Sequence, residues 1–114
     1  MRRTNLQIKR DKAKDYRLRK IYGITIEEYL RLLTIQAGGC AICGRQPKEG
    51  KGLHVDHKHQ RRDRYLRGDE KRSSVRGLLC WMCNTAIGKF RDNSTKMRAA
   101  ADYIDNPPAK KVLK

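Results

Sequence analysis

Two cysteine pairs constrain this chain more than any other feature: Cys40 and Cys43 in CAIC, then Cys80 and Cys83 in CWMC. A CxxC turn presents two sulfurs to one ion, and two such turns complete a tetrahedral four-thiolate shell. Zn²⁺ suits that shell. Four sulfurs leave no open position, so the zinc is expected to be structural. The competing account is four buried or disulfide-linked cysteines, which a reducing compartment disfavours. Composition explains why a staple is wanted. The chain has 114 residues, 35% of them charged and 6% aromatic, which predicts one domain with a lean core.

Charge narrows the partner. Lys and Arg number 28 against 12 Asp and Glu, a formal net charge of +16. Such an excess repels itself in a compact state and makes sense against a polyanion, where basic side chains release condensed counterions. DNA or RNA is the expected partner, an anionic membrane the lesser alternative. No run resembles a transmembrane segment, and the first twenty residues lack the apolar stretch of a signal peptide. The expected setting is therefore intracellular and cytoplasmic.

All three histidines fall in LHVDHKH, Leu53 to His59. With zinc assigned to sulfur, they are available for other chemistry, or they form a solvated cluster at a strand end. Phosphodiester hydrolysis needs a base to activate water, a task neutral imidazole performs near pH 7. It also needs positive charge on the developing oxyanion, which a hard cation on oxygen ligands supplies. Asp56 offers one such oxygen. Asn84, next to Cys83, offers a second from a rigid support; its alternative role is a helix N-cap.

The remaining sequence supplies the frame. Residues 1–22 read as a basic arm or helix, with apolar positions in no clear period. Thr25 and Glu28 form a capping box, with Ile24 and Tyr29 at the staple positions. Ile26, Tyr29, Leu30, Leu33 and Ala37 make one helical face that ends at Gly38 and Gly39. Leu53 to Asp56 and Val75 to Leu79 read as short strands. Between them Lys58 to Ser74 is a polar loop carrying Arg61, Arg62, Arg64 and Arg67. A helix is expected to start near Cys83 or Asn84. Another starts at Asn93 or Ser94 with Met97, Ala100, Ala101 and Ile104 inward, stopped by Pro107 and Pro108. Residues 107–114 read as a frayed basic tail.

In this order, CAIC, LHVDHKH and VRGLLCWMCNTAIG closely resemble the recombination endonuclease VII family, a phage-type branch of the HNH, or ββα-metal, nucleases. YGITIEEYLRLLTIQAGGC and FRDNSTKMRAAADYI look similar too, so the likeness covers about residues 21–105, most of the chain, and the domain is expected over residues 23–106. It implies a small α+β fold: a zinc-stapled ββα-metal domain with flanking helices. It implies metal-dependent DNA cleavage, with structural zinc on Cys40, Cys43, Cys80 and Cys83. Asp56 and Asn84 would hold catalytic Mg²⁺ or Mn²⁺, His57 would be the general base, and His59 would contact the scissile phosphate. The products would carry 5′-phosphate and 3′-hydroxyl ends. Arg61, Arg62, Arg64, Arg67 and Arg76 are expected on the DNA backbone. His54 has no assigned role. Two departures stand out: Ile87 occupies a position that is acidic in the phage resolvase, and the Lys58–Ser74 loop is longer than in many relatives. Branched DNA, as in Holliday-junction resolution, is the expected substrate. A nicking enzyme on ordinary duplex, a non-catalytic zinc module, an RNA-binding role and a homodimer stay open.

Overall fold

The computed structural model describes residues 4–47, 52–58 and 68–113. His59, Arg61, Arg62, Arg64 and Arg67 lie outside the described residues.

The first helix, α1 (Asn5–Tyr22), is held by its ends rather than by an apolar stripe. Thr4 and Gln7 form a capping box, and Gly23, at φ 70°, closes the C-terminus by donating to the Arg19 carbonyl. Leu18 is its one buried residue, which explains why the sequence has no period there. Asp15 does two jobs. It pairs with Arg19 one turn on, and its other carboxylate oxygen accepts the Ile26 N–H at 2.8 Å. That bond satisfies an orphan donor at the start of α2 (Ile26–Ile35) and joins the two helices.

Helix α2 begins as the sequence predicts, with Thr25 and Glu28 bonding reciprocally. It ends earlier than predicted. Gln36 is the C-cap and Ala37, at φ 55°, already turns left-handed. The reason is the Gln36 side chain. Its amide donates to the Leu78 carbonyl at 2.8 Å and accepts the Leu78 N–H at 2.9 Å, standing in for a neighbouring strand.

Two strands, β1 (His54–His57) and β2 (Val75–Leu79), form an antiparallel pair. Leu78 is fully buried, and Val55, Leu53 and Leu79 nearly so. They pack with Leu18, Ile24, Ile26, Tyr29, Cys40 and Ile87 into one core. The polar segment between the strands contains a short helix, α3 (Asp69–Arg72), that the sequence reading missed. Arg72 on it donates to the Gly23 carbonyl and pairs with Glu28 on both oxygens.

After β2 comes α4 (Trp81–Lys89), packed on both strands. It starts two to three residues before the predicted start, because Cys80 is its N-cap: the sulfur accepts the Cys83 N–H at 3.5 Å. Asn84 is therefore inside the helix and does not cap it. Helix α5 (Ser94–Asp105) has the predicted Asn93 cap. Its predicted inward face is not buried. Met97 packs partly on the core, but Ala101 is exposed and Ile104 is 74% exposed. An amphipathic pattern reports a stripe, not that the same chain covers it. The basic tail, predicted frayed, holds a 3₁₀ turn at Pro108–Lys111. Helix, a two-stranded sheet and clustered cysteines together make a small α+β domain of the zinc-binding kind.

Candidate functional site

The two CxxC turns meet. The four cysteine sulfurs lie within 4.8 Å of one another, and those of Cys43 and Cys80 are 3.8 Å apart. A tetrahedral zinc with Zn–S bonds of about 2.3 Å has S···S edges of about 3.8 Å, so the donor set and its spacing fit that ion. The first turn is shaped by the backbone: Cys40 N–H donates to the Arg45 carbonyl and Gly44 N–H to the Cys40 carbonyl, both at 2.9 Å. Gly39 must stay a glycine, because a Cβ there would run into the Gly44 carbonyl. The turn is tied to the sheet by Ala41 N–H donating to the Leu78 carbonyl at 3.1 Å.

The sulfurs differ electrostatically. Burial opposes ionisation of Cys40, but hydrogen bonds from the backbone at Cys43, Cys80 and Ile42 prevail and bring its thiol down to about 6. Burial, reinforced by the neighbouring cysteine sulfurs, pushes the Cys83 thiol up to about 12. Four close thiols cannot all ionise without a cation among them.

The same hairpin carries the second group. Asp56 is buried at 4% exposure, opposite Gly77 on β2. The next pair is His57 with Val75, so β2 holds one extra residue, Arg76, in a bulge. Bulges re-aim side chains, and here the guanidinium meets Asp56 on both oxygens, Nε to Oδ2 at 2.7 Å and Nη2 to Oδ1 at 3.0 Å. Asp92 Oδ1 lies 3.4 Å from the same Nη2. Hydrogen bonding to Asp56, then to Asp92, raises the already high pKa of Arg76. Arg76 was expected on the DNA backbone; here it holds two carboxylates.

Beside this trio opens a cleft of about 540 Å³ lined by Lys58, Arg76, Gly88, Arg91 and Asp92. Arg91 and Asp92 both have positive φ, 53° and 57°. Non-glycine residues held in this region cost about 1–3 kcal/mol each and cluster at functional sites. Neither Asp92 nor Arg91 was singled out from sequence; their signal is a turn between two helices, which is too common to read. His57 is half-buried, its ring 6.0 Å from that of Tyr22 at the end of α1. Asn84 is half-buried in the second turn of α4, which packs on β1. Ile87, one turn beyond it, is a core residue at 9% exposure, so that position contributes packing and no carboxylate.

Comparison with known proteins agrees with this architecture. Residues 15–106 match recombination endonuclease VII. The chain belongs to the recombination endonuclease VII family. It is 42% identical over 98 residues to the Gene 59 protein of Mycobacterium phage D29, covering 85% of this chain and 53% of that protein. It is 40% identical over the same length, with the same coverage, to the Gene 59 protein of Mycobacterium phage L5. The chain thus spans about half the length of these relatives. No solved structure matches it. Among the described residues, no helix is long and apolar enough to cross a membrane.

Proposed function

We propose that this domain is a metal-dependent, HNH-type DNA endonuclease acting in an intracellular setting, with branched DNA such as a Holliday junction as its preferred substrate. The observation that carries the reading is the buried Asp56 carboxylate, adjacent in sequence to His57 and flanked by a cleft with Lys58, Arg76 and Arg91 on its walls. Asp56 and Asn84 are the oxygen donors for Mg²⁺ or Mn²⁺. Two protein oxygens suit Mg²⁺, which commonly retains several waters and uses one or two carboxylates, so Ile87 in the neighbouring position is compatible. When bound, the ion stabilises negative charge on the phosphate and on the leaving 3′-oxygen.

The chain's own residues do the rest. His57 takes a proton from the attacking water, and Tyr22 against its ring limits how the imidazole turns. Lys58 and Arg91 hold the phosphate backbone in the cleft. Arg76 neutralises the buried Asp56 carboxylate, and Asp92 holds the same guanidinium at the cleft wall, where it can meet a phosphate. His59, Arg61, Arg62, Arg64 and Arg67 belong to the same reading as phosphate contacts, and a homodimer would supply a second such site for a symmetric junction.

His57→Ala should abolish Mg²⁺-dependent cleavage while zinc content and DNA binding stay as in the wild type. Undiminished cutting by that variant removes His57 from the mechanism. Four-way junctions and matched linear duplexes, digested side by side, separate the substrates. Equal rates would replace the junction reading with a nicking enzyme on ordinary duplex.

A further inference from the structure

A second cleft lies at the other end of β1, between the two cysteine turns. It measures about 390 Å³, within the roughly 300–1,000 Å³ usual for small-ligand pockets. Its walls include Arg45, Gln46, Leu53, His54, Trp81 and Met82, and none of the described residues lining it is acidic. Among the described residues it shares no lining residue with the Arg76 cleft.

Trp81 is the chain's single tryptophan and is 67% exposed. Tryptophan is enriched at interfaces, where one side of the ring is apolar and the other wet. Its position is fixed: Trp81 is the first residue of α4 and lies between Cys80 and Cys83, so any ion on the sulfurs clamps its backbone on both sides. Met82, 56% exposed, accepts a hydrogen bond from Arg45 Nη1 at 3.4 Å, which bridges the two turns. His54 is exposed on β1 and faces this cleft.

We propose that this cleft receives one unstacked nucleobase of the DNA substrate, laid on the Trp81 indole, with Arg45 and His54 on its flanking phosphate and polar edge. The inference rests on the DNA-binding half of the function proposed above. An aromatic platform beside basic groups is the arrangement single-stranded nucleotides favour, since every base offers a π-face and every linkage a charge. A second copy of the chain fits less well. It would bring its own +16 against Arg45 and His54. The distance also suits DNA: His54 and His57 are separated by about 10 Å of strand, or about three steps of a stacked nucleic-acid strand. The base gripped would lie close to the phosphate cut. Selection for an unstacked base is a physical route to preferring branched over continuous duplex.

A single tryptophan makes the test direct. The zinc-loaded full chain, without Mg²⁺ so that nothing is cut, is titrated with three DNAs: a single strand, a duplex with a one-base bulge, and a matched duplex. Trp81 fluorescence is read alongside the anisotropy of a dye on the DNA. The expected result is strong quenching by single strand and bulge, and binding of the matched duplex with little quenching. Trp81→Ala should weaken the bulge complex about tenfold and leave matched-duplex affinity and zinc content unchanged. Arg45→Ala should weaken the bulge complex likewise. Binding of bulged DNA with unchanged wild-type fluorescence overturns the proposal and leaves the nuclease reading standing. So does equal quenching by matched duplex, or quenching that rises with protein concentration alone as dimers sediment. Failure to bind any of the three DNAs overturns both.

Discussion

Arg76 shows how one extra residue decides what a strand pair can do. In a regular ladder His57 would face Arg76; the bulge gives that partner to Val75 and turns the guanidinium onto Asp56. Removing it leaves a buried carboxylate without its cation. Arg76→Ala should therefore cost about 1–3 kcal/mol in urea denaturation, a range kept low because the Arg76 side chain is 37% exposed. Mg²⁺ should restore more of the variant's stability than it adds to the wild type. A loss indifferent to Mg²⁺ would remove Asp56 as a ligand. Much at this scale was legible. The four cysteines sit together as their spacing demands, because few arrangements satisfy two CxxC turns in one small domain. Asp56 was readable as a residue but not as an ion pair, since no pattern announces a bulge. Asp15, Gln36 and Asp92 went unread for a similar cause: each acts on a residue distant in sequence.

At the scale of elements, caps explain both the successes and the misses. Thr25 with Glu28 and the Asn93 cap are side-chain oxygens at standard positions, so α2 and α5 could be started correctly. A cysteine sulfur is not on the usual list of caps, so the start of α4 was placed too late. Glu28 links its cap to tertiary structure through Arg72 on α3. Hydrogen bonding to Arg72, then to the Thr25 backbone, holds its carboxyl near 2 against an ordinary 4.5. A lowered carboxylate pKa stabilises the fold above the unfolded value and loses that contribution as pH falls through the folded one. The stability difference between wild type and Glu28→Gln should thus be full at pH 7 and shrink steadily below about pH 4.5. Denaturation curves of both proteins at pH 7 and pH 3.5 measure it; an unchanged gap would detach Glu28 from Arg72.

At the scale of the molecule, the core among the described residues is a single cluster of small extent, and the cysteine turns connect it to both strands and α4. Stripping the metal with a chelator should collapse the helical circular dichroism, because structural thiolate sites of this type are worth on the order of 10 kcal/mol. Retained ellipticity at zero zinc would mean the core suffices alone. The +16 charge predicted a polyanionic partner without saying where it sits; the two clefts, at opposite ends of β1, are the places proposed for it.

A metal on the four clustered sulfurs would turn part of this protein into a ring. One turn lies before the hairpin and the other after it, so an ion on the four sulfurs closes a loop that contains β1, α3 and β2. A backbone closed in this way survives being cut. A protease site engineered between residues 59 and 67 should yield two fragments that still migrate as one species on gel filtration and separate when zinc is chelated. Fragments that stay together after zinc is chelated would show that the ring is held by something other than the metal.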